Sequence, residues 1–310
     1  MSTTGTSVFN LDMNDLIEEG FERCGLELRS GYDFRTARRS LNLLTIEWAN
    51  RGINLWTIEQ GQIPMNTGQA LYALPVDTID ILDAVTRTNN GSSSNQIDIN
   101  LSRISESTYI TIPNKNTTGR PIQMWINRQS GGVAAIPQTT LDGAITASDT
   151  TITLANASGL PTQGFVNIDN ETIAYQNIVG NQIVNAWRGQ NGTAAASHLT
   201  GANVFDNNLP SINVWPTPNP PGNQYTLVYY RMRRIQDAGS GVRTQDIPFR
   251  FIPCMAAGLA YYLSIKLPGV DPNRIPLLKA DYEQQWTLAE QEDREKAAIR
   301  FVPRNLFYYN

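Results

Sequence analysis

The stretch Asp33–Gly52, with the sequence DFRTARRSLNLLTIEWANRG, determines how the rest of the chain is interpreted. Its apolar residues recur every three to four positions, at Ala37, Leu41, Leu44 and Trp48. This period is typical of an amphipathic helix with one buried face. Gly52 is suited to the left-handed conformation that ends a helix. The spacing therefore predicts a helix from about Asp33 to Arg51.

A second amphipathic helix is predicted immediately before it, from Asp12 to about Leu28. Its apolar stripe consists of Leu16, Ile17, Phe21, Cys24 and Leu28. Asp12 is placed to cap the free amides of the first turn. The short link through Ser30 and Gly31 favours an antiparallel pair of helices that pack stripe against stripe.

Helical periodicity returns near the other end of the chain. One helix is predicted after Ile247 and stops at Pro268; its stripe is Met255, Ala256, Leu259, Leu263 and Leu267. The last helix is predicted from near Pro272 towards Arg300, and its charged second half is expected to leave the core. Helices from both ends of the chain are therefore expected to form one four-helix cluster.

Between the helices the apolar period changes to two, which indicates β-strands. Strands of the flanking region are predicted at 57–65, 69–74, 79–87, 122–128, 211–215 and 225–234. Strands of a separate unit are predicted at 150–154, 165–168, 172–176, 182–186 and 202–205. The segment 103–112 fits either a helical turn or a strand. Because the flanking pattern resumes at Ser211, residues 139–206 are interpreted as an insertion.

These patterns predict the α+β fold class. The predicted domains are an α-helical bundle (1–56 and 246–300), a central β-sandwich-like domain (57–138 and 207–245), an inserted small β-barrel or sandwich domain (139–206) and an extended C-terminal tail (301–310).

Charge and composition narrow the classes of function. The 310 residues include 24 Lys and Arg against 28 Asp and Glu, a net charge of −4 at pH 7. Such a chain has no global basic field to hold a phosphate backbone, which disfavours ordinary nucleic-acid binding. Charged residues make up 17%, and the resulting neutral polar surface suits extended contact with neighbouring proteins. With no signal-peptide pattern and no apolar run of bilayer length, we expect no membrane contact.

Few residues are of the types that carry catalysis or bind metals. His198 is the only histidine, and no Gly-x-Ser-x-Gly elbow, phosphate-binding loop or dinucleotide fingerprint accompanies it. Cys24 and Cys254 are the only cysteines and are interpreted as core residues. These three residues cannot supply a zinc site. We therefore expect no enzyme activity, no cofactor and no metal.

Acidic pairs offer an alternative, a hydrolase that would use Asp80 with Asp83 or Glu290 with Asp293. Closeness in sequence is weak support for such a site, so these residues are interpreted as solvated side chains. Glu290 and Asp293, in the charged end of the last helix, are also candidates for contacts between subunits.

The most basic segment contains Arg231, Arg233 and Arg234 after two tyrosines. Aromatic residues beside arginines can bind single-stranded nucleic acid. Strand alternation, however, puts Arg231 and Arg233 on one face and Tyr230 and Arg234 on the other. Because this divides the basic patch, the three arginines are interpreted as candidates for inter-subunit salt bridges.

The last ten residues, FVPRNLFYYN, are rich in aromatic side chains. Disordered tails normally lack aromatic residues, because aromatic side chains offset the entropy lost on ordering only when they are buried. The segment is therefore predicted either to fold back on its own subunit or to dock on another chain as an extended peptide.

The stretch 15–56, which ends in EWANRGINLW, resembles the opening helical hairpin of the head-to-tail adaptor proteins of short-tailed phages, also called packaged-DNA stabilisation or tail tubular A proteins. Further segments are similar to this family in order and spacing: Tyr72-Ala73-Leu74-Pro75 leading to 79–85, Ile104 to Tyr109 with Asn114-Lys115 and Gly119-Arg120-Pro121, Trp215-Pro216-Thr217-Pro218, and Asp246-Ile247-Pro248. The resemblance covers roughly 12–130 and 210–300. Residues 139–206 depart from it and resemble a small β unit of phage tail proteins, through 145–154 and 187–193.

This resemblance implies a structural connector in the neck of a virion, assembled in the cytoplasm of the bacterial host. It implies a homo-oligomeric, dodecameric ring between the portal protein and the tail nozzle protein, with DNA passing along the axis without sequence-specific binding. The candidate portal-binding residues are Phe301, Pro303, Arg304, Leu306, Phe307, Tyr308 and Tyr309. The inserted domain would decorate the ring or dock tail fibres. The alternative is a receptor- or glycan-binding tail component, suggested by the Asn- and Thr-rich residues 139–206.

Overall fold

The computed structural model describes residues 4–7, 9–52, 55–219 and 225–293. These residues form α-helices and several β-sheets, so the predicted α+β class is confirmed. They divide into two compact units. The helical unit contains the described residues up to Thr57 and from Ile235 onward, and the β unit is Ile58–Arg234.

The helices are α1 (Met13–Cys24), α2 (Gly31–Arg51), α3 (Glu106–Ile110), α4 (Ile252–Ser264) and α5 (Arg274–Glu292). Three-residue 3-10 helices lie at Leu55–Thr57 and Phe249–Phe251. Helix α3 belongs to the β unit, and the other four helices belong to the helical unit. The residues beyond 293, to which the last helix was predicted to extend, lie outside the described residues.

The ends of α1 are set by its capping residues. Asp12 Oδ1 accepts hydrogen bonds from two amides of the first turn, at 2.8 and 3.0 Å, as predicted. Gly25 adopts a φ of +75°, which reverses the chain direction at low cost only for a residue without Cβ. Helix α1 therefore ends at Cys24, whereas the sequence predicted an end near Leu28.

The start of α2 is also set by a cap. Ser30 Oγ accepts a hydrogen bond from the amide of Asp33 at 3.2 Å. The helix therefore begins at Gly31, two residues before the predicted start. It ends at Arg51, as predicted, and Gly52 follows with a φ of +88°.

Helix α4 forms the centre of the helical unit and is buried on most of its circumference. Helices α1, α2 and α5 each pack against it, whereas α1 and α2 share few contacts. The predicted packing of α1 against α2, stripe to stripe, is therefore wrong. Helix α4 is apolar on nearly all sides. The apolar stripes of α1 and α2 can therefore each bury more surface against α4 than against one another.

Aromatic side chains fill the core of the helical unit. The Trp48 ring lies 5.9 Å from that of Phe251 and 5.8 Å from that of Trp286, between centroids. Trp48 Nε1 donates a hydrogen bond to Tyr282 Oη at 3.1 Å. Gly258 allows this packing, because a Cβ there would lie 2.9 Å from side chains of both α2 and α5.

The strands of the β unit are β1 (Ile58–Pro64), β2 (Leu71–Ala73), β3 (Thr78–Thr88), β4 (Ile97–Asn100), β5 (Ser102–Arg103), β6 (Thr118–Gly119), β7 (Gln123–Asn127), β8 (Gly132–Val133), β9 (Thr139–Thr140), β10 (Ile152–Thr153), β11 (Gly164–Ile168), β12 (Glu171–Tyr175), β13 (Asn177–Val179), β14 (Gln182–Val184), β15 (Trp187–Gln190), β16 (Asn203–Asn208), β17 (Ser211–Trp215), β18 (Thr217–Pro218) and β19 (Tyr225–Arg233). The ambiguous segment 103–112 contains both forms: β5 ends in it, and α3 follows with Ser105 as its N-cap.

Two four-stranded sheets of the β unit share one apolar core. Their strand orders are β1-β19-β3-β4 and β2-β17-β7-β5. Ile81 and Leu227 from the first sheet belong to the same buried cluster as Tyr72, Met124 and Ile212 from the second. Away from this core, β18 and β6 form a short parallel pair.

Residues 139–206 have an apolar core of their own within the β unit and provide most strands of two further sheets, the larger of which also includes β8 (Gly132–Val133). The larger sheet has the order β15-β12-β11-β16-β8, with β9 beside β16, and the smaller has the order β10-β14-β13. Their core includes Ile152, Leu154, Val166, Ile168, Ile173, Tyr175, Ile183 and Val204. No sheet in the described residues closes into a barrel. A small cluster that includes Leu71, Phe165 and Leu209 joins the larger sheet to the rest of the β unit.

Candidate functional site

The outer face of α1 is acidic. Asp15, Glu18 and Glu22 are exposed and lie three or four positions apart, so they share one stripe of the helix. Within the described part of the chain, none of these three carboxylates forms a salt bridge. We refer to this stripe as the acidic face of α1.

The outer face of α2 is both apolar and basic. Tyr32, Leu43 and Ile46 are 68%, 45% and 57% exposed. Arg35 and Arg39 are exposed on the same stripe, which lies opposite the buried stripe of the helix. Neither guanidinium forms a salt bridge to a described residue. We refer to this stripe as the basic-apolar face of α2.

These two faces carry opposite charges and belong to the same helical unit. A helix that buries one stripe normally has a polar opposite face, and the exposed apolar side chains of α2 depart from this rule. The buried stripe of α2 was predicted from the sequence, but the basic-apolar face was not. The missed signal was the second apolar period, formed by Tyr32, Leu43 and Ile46 together with the two arginines.

Arg231 and Arg233 of β19 form salt bridges within their own chain. Arg231 is buried and contacts Asp77 and Glu59, with Nη2 2.8 Å from Glu59 Oε2. Arg233 Nε lies 2.6 Å from Glu59 Oε1, so both guanidiniums lie on one face, as the alternation predicts. Burial by itself would lower the pKa of Arg231, but the hydrogen bonds and charges of Asp77 and Glu59 outweigh burial and raise it. The inter-subunit role of these arginines stays a prediction.

The remaining candidate residues for subunit contacts are placed as follows. Arg234 is exposed after β19, and its amide donates to the carbonyl of Asp77 at 2.8 Å. Glu290 is exposed on α5. Asp293 follows α5, and its Oδ2 accepts a hydrogen bond from the amide of Leu55 at 3.4 Å. The candidate portal-binding residues 301–309 lie outside the described residues.

A buried ionic cluster surrounds Glu171 in the β unit. His198 is 4% exposed, with Nδ1 2.7 Å from Asp169 Oδ2 and Nε2 2.9 Å from Glu171 Oε2. Arg188 binds the Glu171 carboxylate through two hydrogen bonds of 2.8 and 2.7 Å. Two backbone amides donate to the same carboxylate at 2.8 and 3.0 Å.

The contacts of this cluster hold parts of the chain together. Burial by itself would raise the pKa of Glu171, but the hydrogen bonds from Arg188, His198 and the two amides outweigh burial and lower the pKa to about 2. Both ring nitrogens of His198 lie within hydrogen-bond distance of carboxylate oxygens. Arg188 also donates to the carbonyls of Thr146 and Ala196, at 2.6 Å each. The cluster therefore ties three loops together.

The sequence analysis did not predict that carboxylates hold His198. A signal was present, because Glu171, Arg188 and His198 are each the only residue of their type within 139–206. Charged groups buried in such a segment are expected to pair with one another. Neither ring nitrogen of His198 contacts a hydroxyl or thiol of a described residue, and both are bound to carboxylates.

Of the acidic pair on β3, Asp80 has salt-bridge partners, whereas Asp83 is exposed and forms no salt bridge to a described residue. Asp80 lies 3.0 Å from an Arg103 nitrogen and 2.9 Å from an Arg128 nitrogen, so arginines neutralise its charge. Cys24 and Cys254 are buried, as predicted for core residues. Burial raises the pKa of Cys24 to about 11 and that of Cys254 to about 12, so both thiols stay protonated at neutral pH.

No group of three or more His, Cys, Asp or Glu side chains among the described residues could hold a metal ion. None of the described helices combines the length and the apolar composition needed to cross a lipid bilayer. In comparisons with known proteins, the chain matches no family model, and no curated protein is significantly similar to it.

Proposed function

We propose that the chain is a structural head-to-tail connector of a tailed phage, which forms a ring between the portal protein and the tail nozzle and lets DNA pass along its axis. The proposal combines the resemblance of several sequence segments with the contacts between those segments and with the two charged helix faces.

Contacts between separated family-like segments carry the proposal. In the helical unit, Trp56 Nε1 donates to the carbonyl of Asp246 at 2.9 Å, which joins the end of 15–56 to the segment that begins at Asp246. In the β unit, Trp215 Nε1 donates to the carbonyl of Asn114 at 3.0 Å. In each unit, the contact joins two of the segments on which the resemblance rests.

Ring formation from identical copies requires two different patches that fit each other, one on each side of a subunit. The acidic face of α1 and the basic-apolar face of α2 carry opposite charges, so they are electrostatically complementary. In the proposed ring, the acidic face of one copy contacts the basic-apolar face of the next. Burial of Tyr32, Leu43 and Ile46 supplies apolar area, and the opposite charges select the pairing and its direction.

The net charge of −4 is compatible with a channel that DNA traverses. A conduit with a strongly basic lining would hold the duplex by releasing counterions, and the strength of that binding would rise with each phosphate contact. A mildly acidic chain avoids this retention, so DNA can slide through.

Charge reversal tests the proposed contact between copies. The first variant carries Glu18→Arg and Glu22→Arg, so both of its faces are basic. The second variant carries Arg35→Glu and Arg39→Glu, so both of its faces are acidic. Each variant alone should sediment as a monomer under conditions where the wild type assembles. An equimolar mixture should regain assembly, because every contact then joins opposite charges. The control is Glu27→Arg with Arg29→Glu, which exchanges an exposed pair and should assemble normally. Unchanged assembly in both face variants would exclude this contact.

Removal of residues 301–310 tests the predicted portal contact separately. The truncated chain should fold, because the described core of the helical unit ends before this segment, and it should fail to co-purify with portal rings. Full attachment of the truncated chain would show that the portal is bound elsewhere.

A further inference from the structure

A cleft of about 440 Å³ lies within the β unit, among residues of the loop before β2, the region of α3 and strands β13 to β15. It shares Gly68, Asn185 and Trp187 with an adjoining cleft of about 390 Å³. The first volume is within the usual range of small-molecule sites, about 300–1,000 Å³. The proposed connector function does not use these clefts.

Trp187 is the aromatic side chain common to both clefts. It begins β15 opposite Ala174 of β12 and is partly exposed. Within the described residues its indole N–H has no hydrogen-bond partner. Gly68 adopts a φ of +80°, and a Cβ at that position would lie 3.9 Å from Trp187 Cζ2. The absence of a side chain at Gly68 therefore leaves space along this edge of the ring.

Neutral amides surround this ring. The larger cleft is lined by Gln163, Gln176, Asn116, Asn177 and Asn185. Each primary amide provides two donor hydrogens and an acceptor oxygen. Gln176 Oε1 accepts a hydrogen bond from a backbone amide at 2.8 Å, which fixes the side chain and leaves its NH₂ group as a donor.

The single charged group of the larger cleft is already engaged. Lys115 Nζ donates to the carbonyls of Ile110 and Ile112 at 3.2 and 3.3 Å and lies 5.5 Å from the centre of the Tyr109 ring. The smaller cleft is lined by no charged residue. Phosphate groups are normally held by several cations or by free backbone amides, so this lining does not favour a nucleotide or another anion.

We infer that the cleft at Trp187 binds a neutral saccharide of one or two pyranose units. Neighbouring hydroxyls of a sugar each donate and accept hydrogen bonds, which matches paired amide NH₂ and C=O groups. The C–H face of a pyranose ring is apolar and can lie against the indole, as apolar ligand surfaces do in sites with few polar groups. This binding activity is additional to the connector function and does not depend on ring assembly.

The experiment uses the full chain on an array of neutral bacterial polysaccharides and neutral hexose oligosaccharides, with sialylated and phosphorylated glycans printed beside them. The wild type should bind at least one neutral glycan, and saturation-transfer NMR should confirm binding of that glycan in solution. Trp187→Ala should weaken binding by about tenfold or more, the change expected for losing one aromatic contact of about 1.4 kcal/mol.

Two further variants keep the test decisive if Trp187→Ala does not fold. Asn116→Ala with Asn177→Ala removes two exposed amides of the cleft and should weaken binding severalfold while the thermal unfolding curve stays unchanged. The matched control, Asn50→Ala, removes an exposed amide of the helical unit and should bind as the wild type does.

Three results would overturn the inference: no neutral glycan bound by the wild type, binding restricted to charged glycans, or affinity unchanged in both cleft variants. Glycan binding by a chain that forms no ring on the portal would contradict the connector proposal and leave this inference intact.

Discussion

The helical unit and the segment 139–206 are stabilised by different means. The helical unit surrounds α4, which buries apolar side chains on most of its circumference. The segment 139–206 has an apolar core too, but its long loops are tied by a buried ionic cluster around Glu171. Apolar spacing therefore predicts which faces of the helices are buried, whereas loops depend on polar partners that are distant in sequence.

The largest expected effect is that of removing the central charge of the ionic cluster. Glu171→Gln leaves Arg188 and His198 without their shared counter-charge and turns a donor NH₂ group towards other donors. Loss of one partner from a buried ionic group costs about 3–5 kcal/mol. Hydrogen exchange should therefore accelerate in peptides from 139–206 and stay unchanged in those from α1, α2, α4 and α5. Equal protection in wild type and variant would show that the cluster does not hold this segment together.

A core truncation in α4 should produce the opposite pattern. Leu259 is fully buried and lies against Gly20 of α1. Leu259→Ala should destabilise the helical unit by about 2–5 kcal/mol, through lost burial and the cavity left behind. Hydrogen exchange should rise in the helical unit and not in 139–206. The control is Leu277→Ala, which truncates an exposed leucine of α5 and should change stability by less than about 0.5 kcal/mol.

The two regions also differ in how far their structure was predictable. The helices followed from apolar period and from caps such as Asp12, and only their ends and the packing of α1 against α4 were missed. The strands β4, β6, β8, β9, β13, β15 and β18 were missed because two to four residues give too few repeats of the alternating pattern. The contacts of Glu171 were missed because hydrogen bonds between loops leave no local pattern. The basic-apolar face of α2 was visible in the sequence but was obscured by the stronger buried stripe.

Acid should affect the ionic cluster before it affects the apolar core. The pKa of Glu171 is about 2 in the folded chain against an ordinary value of 4.5. A carboxyl with a lowered pKa contributes its full stabilisation above the ordinary value and loses it as the pH falls towards the folded value. Thermal unfolding of 139–206 should therefore shift to lower temperature between about pH 4.5 and pH 2. In Glu171→Gln this part of the pH dependence should disappear, and its persistence would assign the effect to other carboxyls.

The smallest effect concerns the cap of α2. Ser30→Ala removes the hydrogen bond to the amide of Asp33 and should cost the helical unit about 1 kcal/mol. Ser30→Thr keeps a hydroxyl that can accept from this amide and donate to Asp33 Oδ2, as Ser30 Oγ does at 2.8 Å, and should restore most of the loss. Chemical denaturation followed by the ellipticity at 222 nm measures both variants. Equal stability of Ser30→Ala and the wild type would show that the start of α2 is held by packing alone.

The central claim is that copies of this chain join into a ring on a portal. Electron-microscopic class averages of the full chain mixed with its portal protein test the claim most directly. We expect an annulus of this chain stacked coaxially on the portal, with an open axis wide enough for a DNA duplex. Bare portal rings beside monomeric chain, with the chain in molar excess, would contradict it.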